Sequence, residues 1–284
     1  MSKEKIEKNN KFKYIVVVII LILAIIGVVV YINVLKPYQI AKNEYEKIAQ
    51  TINENNVELD KMVEELQNLV NSEEKPLDET LLEKANEVIK NAQQAKNVLD
   101  KMPSNTQEII TKTEEMKKYD DYSAIKEELK ETKEQLESSI KSRNQFINPS
   151  EEFLISRLSV IEEVYDIEAV TEEHDPNGHL HKNGGYTAAI YFKNKNVNLS
   201  KIFHSANESS IDIGTSGGGC IEVYSTEEDA QKRATYLSAF DGGILDNGTH
   251  TVVGTVVIRV SAELTATQQK MLEQNIIDSI AVLD

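Results

Sequence analysis

Residues 172–181 hold the densest set of side chains suited to binding a metal ion or a polar ligand. Carboxylates, an amide and three imidazoles lie within ten residues, and the candidate ligands are Glu172, His174, Asp175, Asn177 and His179. Imidazole nitrogens suit Zn²⁺, and carboxylate oxygens suit Ca²⁺. The spacing fits neither an EF-hand loop nor a pair of histidines on one helix face, so we assign no metal and no cofactor.

The same segment has the residue types of a tight turn. In Asp175-Pro176-Asn177-Gly178, proline presets its own backbone angle, while asparagine and glycine tolerate the left-handed conformation. We therefore favour a turn for this segment, with ligand binding as the alternative.

Cys220 is the second candidate, because it is the single cysteine and follows a glycine-rich stretch at 214–219. Its thiol would serve as a nucleophile if His204 or His250 acted as the base. A thiol that opens an apolar strand is more commonly buried and inert. The glycine-rich stretch lacks the Lys-Ser/Thr ending of a phosphate-binding loop and precedes a strand, so we assign its glycines to turns or close packing.

Signatures of established catalytic sites are missing from the sequence. We find no Ser-His-Asp spacing, nucleophile elbow, zinc-protease helix or paired-carboxylate motif. No catalytic residue is assigned.

The elements that must position these residues predict an α+β domain over residues 148–284. Strand-like patterns lie at 186–192, 220–224 and 251–260, the last with Gly254 as a candidate bulge. Helix starts are marked by Asn148 as a cap with Pro149 following, and by capping-box patterns that open at Ser225 and Thr265. The pattern favours helices packed on a short mixed or antiparallel sheet.

Residues 36–147 have the pattern of a helical stalk. From residue 38 a first set of core positions recurs every seven residues: Tyr38, Tyr45, Ile52, Leu59 and Leu66. A second set of core positions lies three residues after each member of the first set, and Asn55 interrupts it. These heptads predict a helix of about 35 residues in an antiparallel helical bundle. The alternative is a homo-oligomeric coiled coil in which Asn55 sets the register.

Turn signals divide the rest of the stalk. Pro76 and Pro103 lie in predicted turns, and the apolar stripe between them runs from Leu81 to Met102. The polar cluster at 119–123 predicts a kink or break before a last helix over 125–140.

Residues 14–35 predict a transmembrane helix. These 22 residues carry no charge, and at 1.5 Å per residue they span about 33 Å, enough for the hydrocarbon core of a bilayer. Tyr14 and Tyr31 lie near the two ends, where aromatic rings prefer the interface. A cleaved signal peptide is disfavoured because the stretch is long and no A-x-A site follows it. A buried core helix is disfavoured because the stretch is apolar on every side.

The charged flanks predict the orientation. Residues 1–13 hold five lysines and two glutamates, a net charge of +3, which favours a cytoplasmic tail. Since the whole chain carries −16, the remainder carries −19. The bulk of the chain is then extracytoplasmic, on a bacterial cell membrane.

Charge and cysteine content exclude some function classes. A surface with a net charge of −19 repels the phosphate backbone of nucleic acids, so we expect no nucleic-acid partner. A single cysteine allows no intramolecular disulfide, which fits a bacterial envelope protein better than a secreted eukaryotic domain.

Four stretches in the C-terminal half resemble one protein family. NPSEEFLISRL, VTEEHDPNGHLHKNGGYTAAIYF, SGGGCIEVYSTEEDAQKRATYLSAFDG and GTVVIRVSAELTATQQ resemble Gram-positive surface lipoproteins that are often labelled EbhA-like. The resemblance covers roughly the last 140 residues and implies an envelope location and this domain layout, but no activity. The chain departs from the family at its anchor, where a transmembrane helix replaces the lipidated cysteine.

The sequence therefore predicts a single-pass, membrane-anchored extracytoplasmic protein that is a non-enzymatic binding or interaction module. Its expected partners are the bilayer through residues 14–35 and an envelope protein or the cell wall. The alternative is an enzyme or a metal- or ligand-sensing domain with a site near residues 172–181 and 217–222. A third interpretation is a structural spacer in the cell envelope.

Overall fold

The computed structural model describes residues 3–202, 208–240 and 248–283, with side chains from residue 11. The described helices are α1 Lys3–Val30, α2 Lys36–Val70, α3 Thr80–Ala95, α4 Thr106–Met116, α5 Ser123–Asn144, α6 Glu151–Ser159, α7 Ser210–Ile213, α8 Glu227–Ser238 and α9 Ala266–Ala281. The described strands are β1 Val164–Ala169, β2 Tyr186–Asn194, β3 Gly218–Tyr224, β4 Gly248–Val253 and β5 Val256–Ser261.

A long helix begins the described chain, because α1 and α2 are joined by a single π-helical segment at Tyr31–Leu35. Pro37 explains the wide turn: it has no N–H, and its ring would clash with the carbonyl of Asn33 in an ordinary α-turn. The Lys36 N–H accordingly donates to Tyr31 O, five residues back. The Asn33 amide donates to Val29 O at 2.9 Å, so this polar side chain is satisfied within its own helix.

The chain divides into two compact units. Unit 1 comprises Met1–Asn71 and Lys84–Lys133, and unit 2 comprises Ser72–Glu83 and Glu134–Asp284.

In unit 1, the heptad face of α2 is covered by helices of the same chain. Tyr45 and Ile52 on α2 pack with Ile109 and Met116 of α4 in one apolar cluster. Asn55, which interrupts the heptads, donates to Asp120 O at 2.9 Å and accepts from Lys126 Nζ at 2.8 Å. Because these partners belong to the same chain, they favour the helical bundle over a homo-oligomeric coiled coil in which Asn55 sets the register.

One predicted helix of unit 1 is shorter than its apolar stripe. The stripe reaches Met102, but α3 ends at Ala95. Leu99 and Met102 still pack on the cluster of α2 and α4 from an irregular segment. Side chains satisfy the backbone there, since the Tyr45 hydroxyl donates to Asp100 O at 2.9 Å. The predicted break at 119–123 is confirmed, because α4 ends at Met116 and α5 begins at Ser123.

In unit 2, the five strands form one antiparallel sheet in the order β1-β2-β3-β5-β4. Helices α6 and α9 pack on one face, where Phe192, Ile221 and Ile258 are fully buried. Helices α7 and α8 and the segment between β1 and β2 lie on the other face. The expected helices packed on a short antiparallel sheet are confirmed.

The predicted strand at 251–260 is two strands of a β-hairpin. β4 and β5 pair in register from Val253↔Val256 onward, and Gly254 and Thr255 form the turn between them. Gly254 has a φ of +58°, and an added Cβ would lie 2.6 Å from Phe146 O. Gly254 therefore reverses the chain and is not a bulge, because only glycine fits this close approach at positive φ.

Two of the predicted helix starts are shifted, and one is confirmed. Ser150, not Asn148, caps α6, and Asn148 adopts a positive φ of 48°. Thr226, not Ser225, caps α8 through the N–H of Asp229. Thr265 forms the expected capping box with Gln268 at the start of α9.

Candidate functional site

The candidate loop at 172–181 lies in the connection between β1 and β2. Val170, just before the loop, and Leu180 within it are buried with Tyr186 and Tyr191 against the sheet face that also carries Cys220. The two segments of the alternative site prediction therefore meet on one face of unit 2.

Asp175 organises this loop by accepting hydrogen bonds from the chain itself. Its Oδ2 accepts from the Leu180 N–H at 2.8 Å, and its Oδ1 accepts from the Asn177 N–H at 3.1 Å and from the Tyr186 hydroxyl. Partial burial acts to raise the pKa of Asp175, but these donors outweigh it and hold the pKa below its ordinary value. The carboxylate is thus a structural acceptor with its lone pairs directed at protein donors.

The turn interpretation of this loop is supported by its backbone. The Gly178 N–H donates to Asp175 O at 3.2 Å, which closes a β-turn, and Gly178 has a φ of +65°. The Asn177 amide points inward and donates to the Tyr191 hydroxyl at 3.2 Å. The ring of His179 lies edge-on to Tyr186, with 6.5 Å between the ring centroids.

The other polar side chains of the loop have separate partners. His174 Nε2 lies 2.8 Å from Asp212 Oδ1 of α7, whereas His181 Nδ1 lies 3.6 Å from Glu172 Oε1. All four side chains are largely exposed. Across the described ranges, no group of three or more histidine, cysteine or acidic side chains is placed to hold a metal ion.

Cys220 is fully buried in the middle of the sheet. Its register neighbours are Tyr191 on β2 and Arg259 on β5, and Arg259 is paired in turn with His250 on β4. Burial raises the pKa of the thiol well above its ordinary value, which opposes the thiolate that a nucleophile requires. His250 Nε2 lies 3.0 Å from Ser238 Oγ, and His204 lies outside the described residues.

The glycine-rich stretch before Cys220 permits close packing. A Cβ on Gly219 would lie 2.4 Å from Phe192 Cζ and 2.6 Å from Arg259 O. A Cβ on Gly218 would lie 2.6 Å from the Asn194 nitrogen. These contacts account for Gly218 and Gly219 without a ligand.

An ion cluster beside Cys220 was not predicted from the sequence. Glu222 on β3 is fully buried, and its carboxylate accepts from Arg233 Nε and Nη2, both at 2.8 Å, and from Arg259 Nη1 at 2.9 Å. The Tyr224 hydroxyl adds a fourth bond at 2.8 Å. Burial acts to raise the pKa of Glu222, but the two guanidinium groups reverse this effect and hold it below its ordinary value.

A sequence signal for this cluster was present. Glu222 interrupts the apolar run CIEVY, and Arg259 interrupts VVIRV, so charges of opposite sign stand in two strands that are otherwise core. Because a buried charge is expected to be paired, the two residues were candidates for a contact. The pairing itself depends on β3 and β5 being neighbours, which the sequence did not establish.

Comparison of this chain with protein-family models, with curated proteins and with solved structures finds no match.

Proposed function

We propose that this chain is a single-pass membrane protein whose extracytoplasmic units form a non-enzymatic binding module. The exposed apolar helix carries the proposal. Every side chain from residue 14 to 35 is exposed, in a helix whose most apolar 18-residue window has a mean hydropathy of 3.6 and no buried residue. By length and composition this one helix, within Lys11–Val70, is sufficient to cross a membrane.

The energetic argument is that water is a poor solvent for this surface. Fully burying one valine, leucine or isoleucine side chain is worth about 1.5–3 kcal/mol, and this segment exposes Leu21, Leu23, Ile25 and many similar residues. No residue in the described ranges covers them. A bilayer supplies the missing cover, and helical hydrogen bonds satisfy the backbone inside it.

The proposed orientation rests on the positive tail. The lysine excess of residues 1–13 is retained on the cytoplasmic side, which leaves the acidic remainder outside.

The polar groups of the sheet face argue against the catalytic alternative. Asp175 and Glu222 accept several hydrogen bonds each from the protein, and Cys220 is sealed in the core. Groups with these internal partners stabilise the fold and are poorly placed for proton transfer to a substrate.

Membrane extraction tests the anchor. We expect the full chain to remain in the pellet when bacterial membranes are washed with alkaline carbonate. The variant Ala24→Arg/Ile25→Arg should move to the soluble fraction, because each arginine at the helix centre costs about 2.5–3.5 kcal/mol of insertion free energy.

The matched control places the same two charges outside the apolar segment. Val57 and Val98 are 70% and 94% exposed, so Val57→Arg/Val98→Arg should pellet like the parent chain. Release of the parent chain by carbonate would refute the anchor.

Cysteine labelling tests the orientation. In a Cys220→Ala background, a membrane-impermeant maleimide should label Ser104→Cys on intact cells and label Ser2→Cys only after the cells are permeabilised. Ser104 is exposed between α3 and α4, so its labelling reports access to the compartment. The opposite pattern would reverse the proposed orientation.

A further inference from the structure

Unit 2 contains an open groove of about 660 Å³, and all of the lining residues belong to unit 2. Helix α5 provides one wall, α9 provides the other, and the segment at 77–81 and the end of β4 complete it. The lining residues are Leu77, Asp78, Leu81, Gln135, Ser138, Ser139, Ser142, Val253, Gln274, Ile277 and Asp278. A volume of this size lies within the roughly 300–1,000 Å³ typical of ligand sites.

The floor of the groove is apolar. Leu77, Val253 and Ile277 are partly buried and pack against the core cluster beneath α6 and α9. Their remaining surface faces the groove, where it offers van der Waals contact to an aliphatic chain.

The walls carry neutral polar groups at helical spacing. Gln135, Ser138, Ser139 and Ser142 recur at three- and four-residue intervals, so they share one face of α5. One end is tied by a hydrogen bond from Ser142 Oγ to Ala281 O at 2.8 Å. Hydroxyl and amide groups of this kind can form hydrogen bonds with the backbone of a peptide.

The charge of the groove is negative. Asp78 and Asp278 are its acidic residues, and its lining residues, all of them described, include no lysine, arginine or histidine. Asp78 Oδ1 accepts from Thr80, and Asp278 Oδ1 accepts from Gln274 at 2.7 Å. The Oδ2 atom of each carboxylate accepts no hydrogen bond from the described residues.

We infer that this groove binds an extended segment of a partner protein that carries a lysine or arginine side chain. The ammonium or guanidinium group pairs with Asp78 or Asp278, and its aliphatic stem lies on Leu77 and Ile277. Anionic ligands are opposed by both carboxylates. A wholly apolar helix is opposed because it would cover Asp78 and Asp278 without supplying a cation to pair with them. The inference rests on the proposed binding role and identifies the class of partner.

Fluorescence anisotropy tests the inference on the full chain in phosphatidylcholine nanodiscs. The reporters are two fluorescein-labelled hexapeptides, one alternating leucine with lysine and the other leucine with glutamate. We expect the lysine peptide to bind at least about tenfold more tightly, with an affinity that falls as salt rises. Equal binding of the two peptides would refute a cation-selective groove.

Two variants separate the groove from general attraction to an acidic surface. Asp78→Asn/Asp278→Asn should weaken binding of the lysine peptide about tenfold, because it removes the two paired charges. Ser138→Phe should abolish binding without changing any charge, because the phenyl ring on α5 would occupy space in the groove that the peptide needs. Unchanged binding by either variant would overturn the assignment.

Matched controls exclude indirect effects. Glu162→Gln removes an exposed acid elsewhere in unit 2, and Ser159→Phe places the same ring on an exposed site at the end of α6. Both should bind within about twofold of the parent, because neither touches the groove. The same titration on the soluble Ala24→Arg/Ile25→Arg variant reports peptide binding without membrane insertion, so the anchor and the groove can fail independently.

Discussion

Arg233 and Glu222 form a bidentate ion pair, with Nε and Nη2 of the guanidinium each 2.8 Å from one carboxylate oxygen. Glu222 is fully buried, and Arg259 contacts the same carboxylate from the neighbouring strand. The single negative charge of Glu222 is therefore shared between two guanidinium groups in unit 2.

Glu222→Gln should destabilise unit 2 by about 3–5 kcal/mol, because it leaves buried Arg259 and partly buried Arg233 without a counter-ion. Urea unfolding of the full chain, followed by near-ultraviolet circular dichroism, measures the loss. Exposed Glu162→Gln is the control and should change the unfolding free energy by less than about 0.5 kcal/mol. A similar cost for both variants would show that the cluster contributes little.

The same pair predicts the direction of acid sensitivity. The pKa of Glu222 lies below its ordinary value in the fold, so the ionised form is favoured by folding. Its contribution to stability is complete above the unfolded pKa of about 4.3 and is lost as pH falls through the folded pKa. Urea midpoints measured from pH 7 down to acid should fall less steeply for Glu222→Gln than for the parent chain.

Asp175→Ala should destabilise the loop between β1 and β2 by about 1–3 kcal/mol, since the Leu180 N–H and the Tyr186 hydroxyl lose their acceptor. Hydrogen exchange of the Leu180 amide locates the effect. His179→Ala removes an exposed ring nearby and should leave that amide protected. Fast exchange of Leu180 in both variants would contradict the role given to the carboxylate.

Titration calorimetry decides whether this loop binds metal. We expect no heat with Ca²⁺ or Zn²⁺, because the oxygens of Asp175 already accept from protein donors and His174 is paired with Asp212. Heat that disappears in Asp175→Ala would identify the loop as a metal site after all.

Cys220 should resist maleimide in the native chain and react fully after unfolding in urea. The thiol is completely buried, and burial raises its pKa, so alkaline buffer should not accelerate the native reaction. Ser104→Cys in the Cys220→Ala background is the exposed control. Rapid native labelling of Cys220 would reopen the nucleophile hypothesis.

Gly254→Ala should destabilise the β4–β5 hairpin by about 1–3 kcal/mol, because the residue has positive φ and the new Cβ would approach Phe146 O. Gly178→Ala is the matched control, since it also has positive φ but meets nothing within 4 Å. The difference between their urea midpoints measures the clash. Equal losses would show that backbone strain alone is responsible.

The sequence by itself determined the elements that depend on local pattern. Hydropathy alone located the apolar helix at 14–35, and heptads identified Tyr45, Ile52 and Leu59 as buried positions of α2. The Thr265 capping box and the turn at Asp175 were likewise predicted. These features depend on residues within about one or two helical turns of each other, so the local sequence is sufficient to predict them.

Tertiary structure decided which distant residues meet. Asn55 is satisfied by Asp120 and Lys126, and Glu222 is paired with Arg259, only because particular helices and strands are neighbours. The hairpin at Gly254 and the groove lined by α5 and α9 depend on the same long-range choices. Strand order and helix packing set these contacts through the burial of shared apolar faces, and a single sequence fixes no register between segments a hundred residues apart.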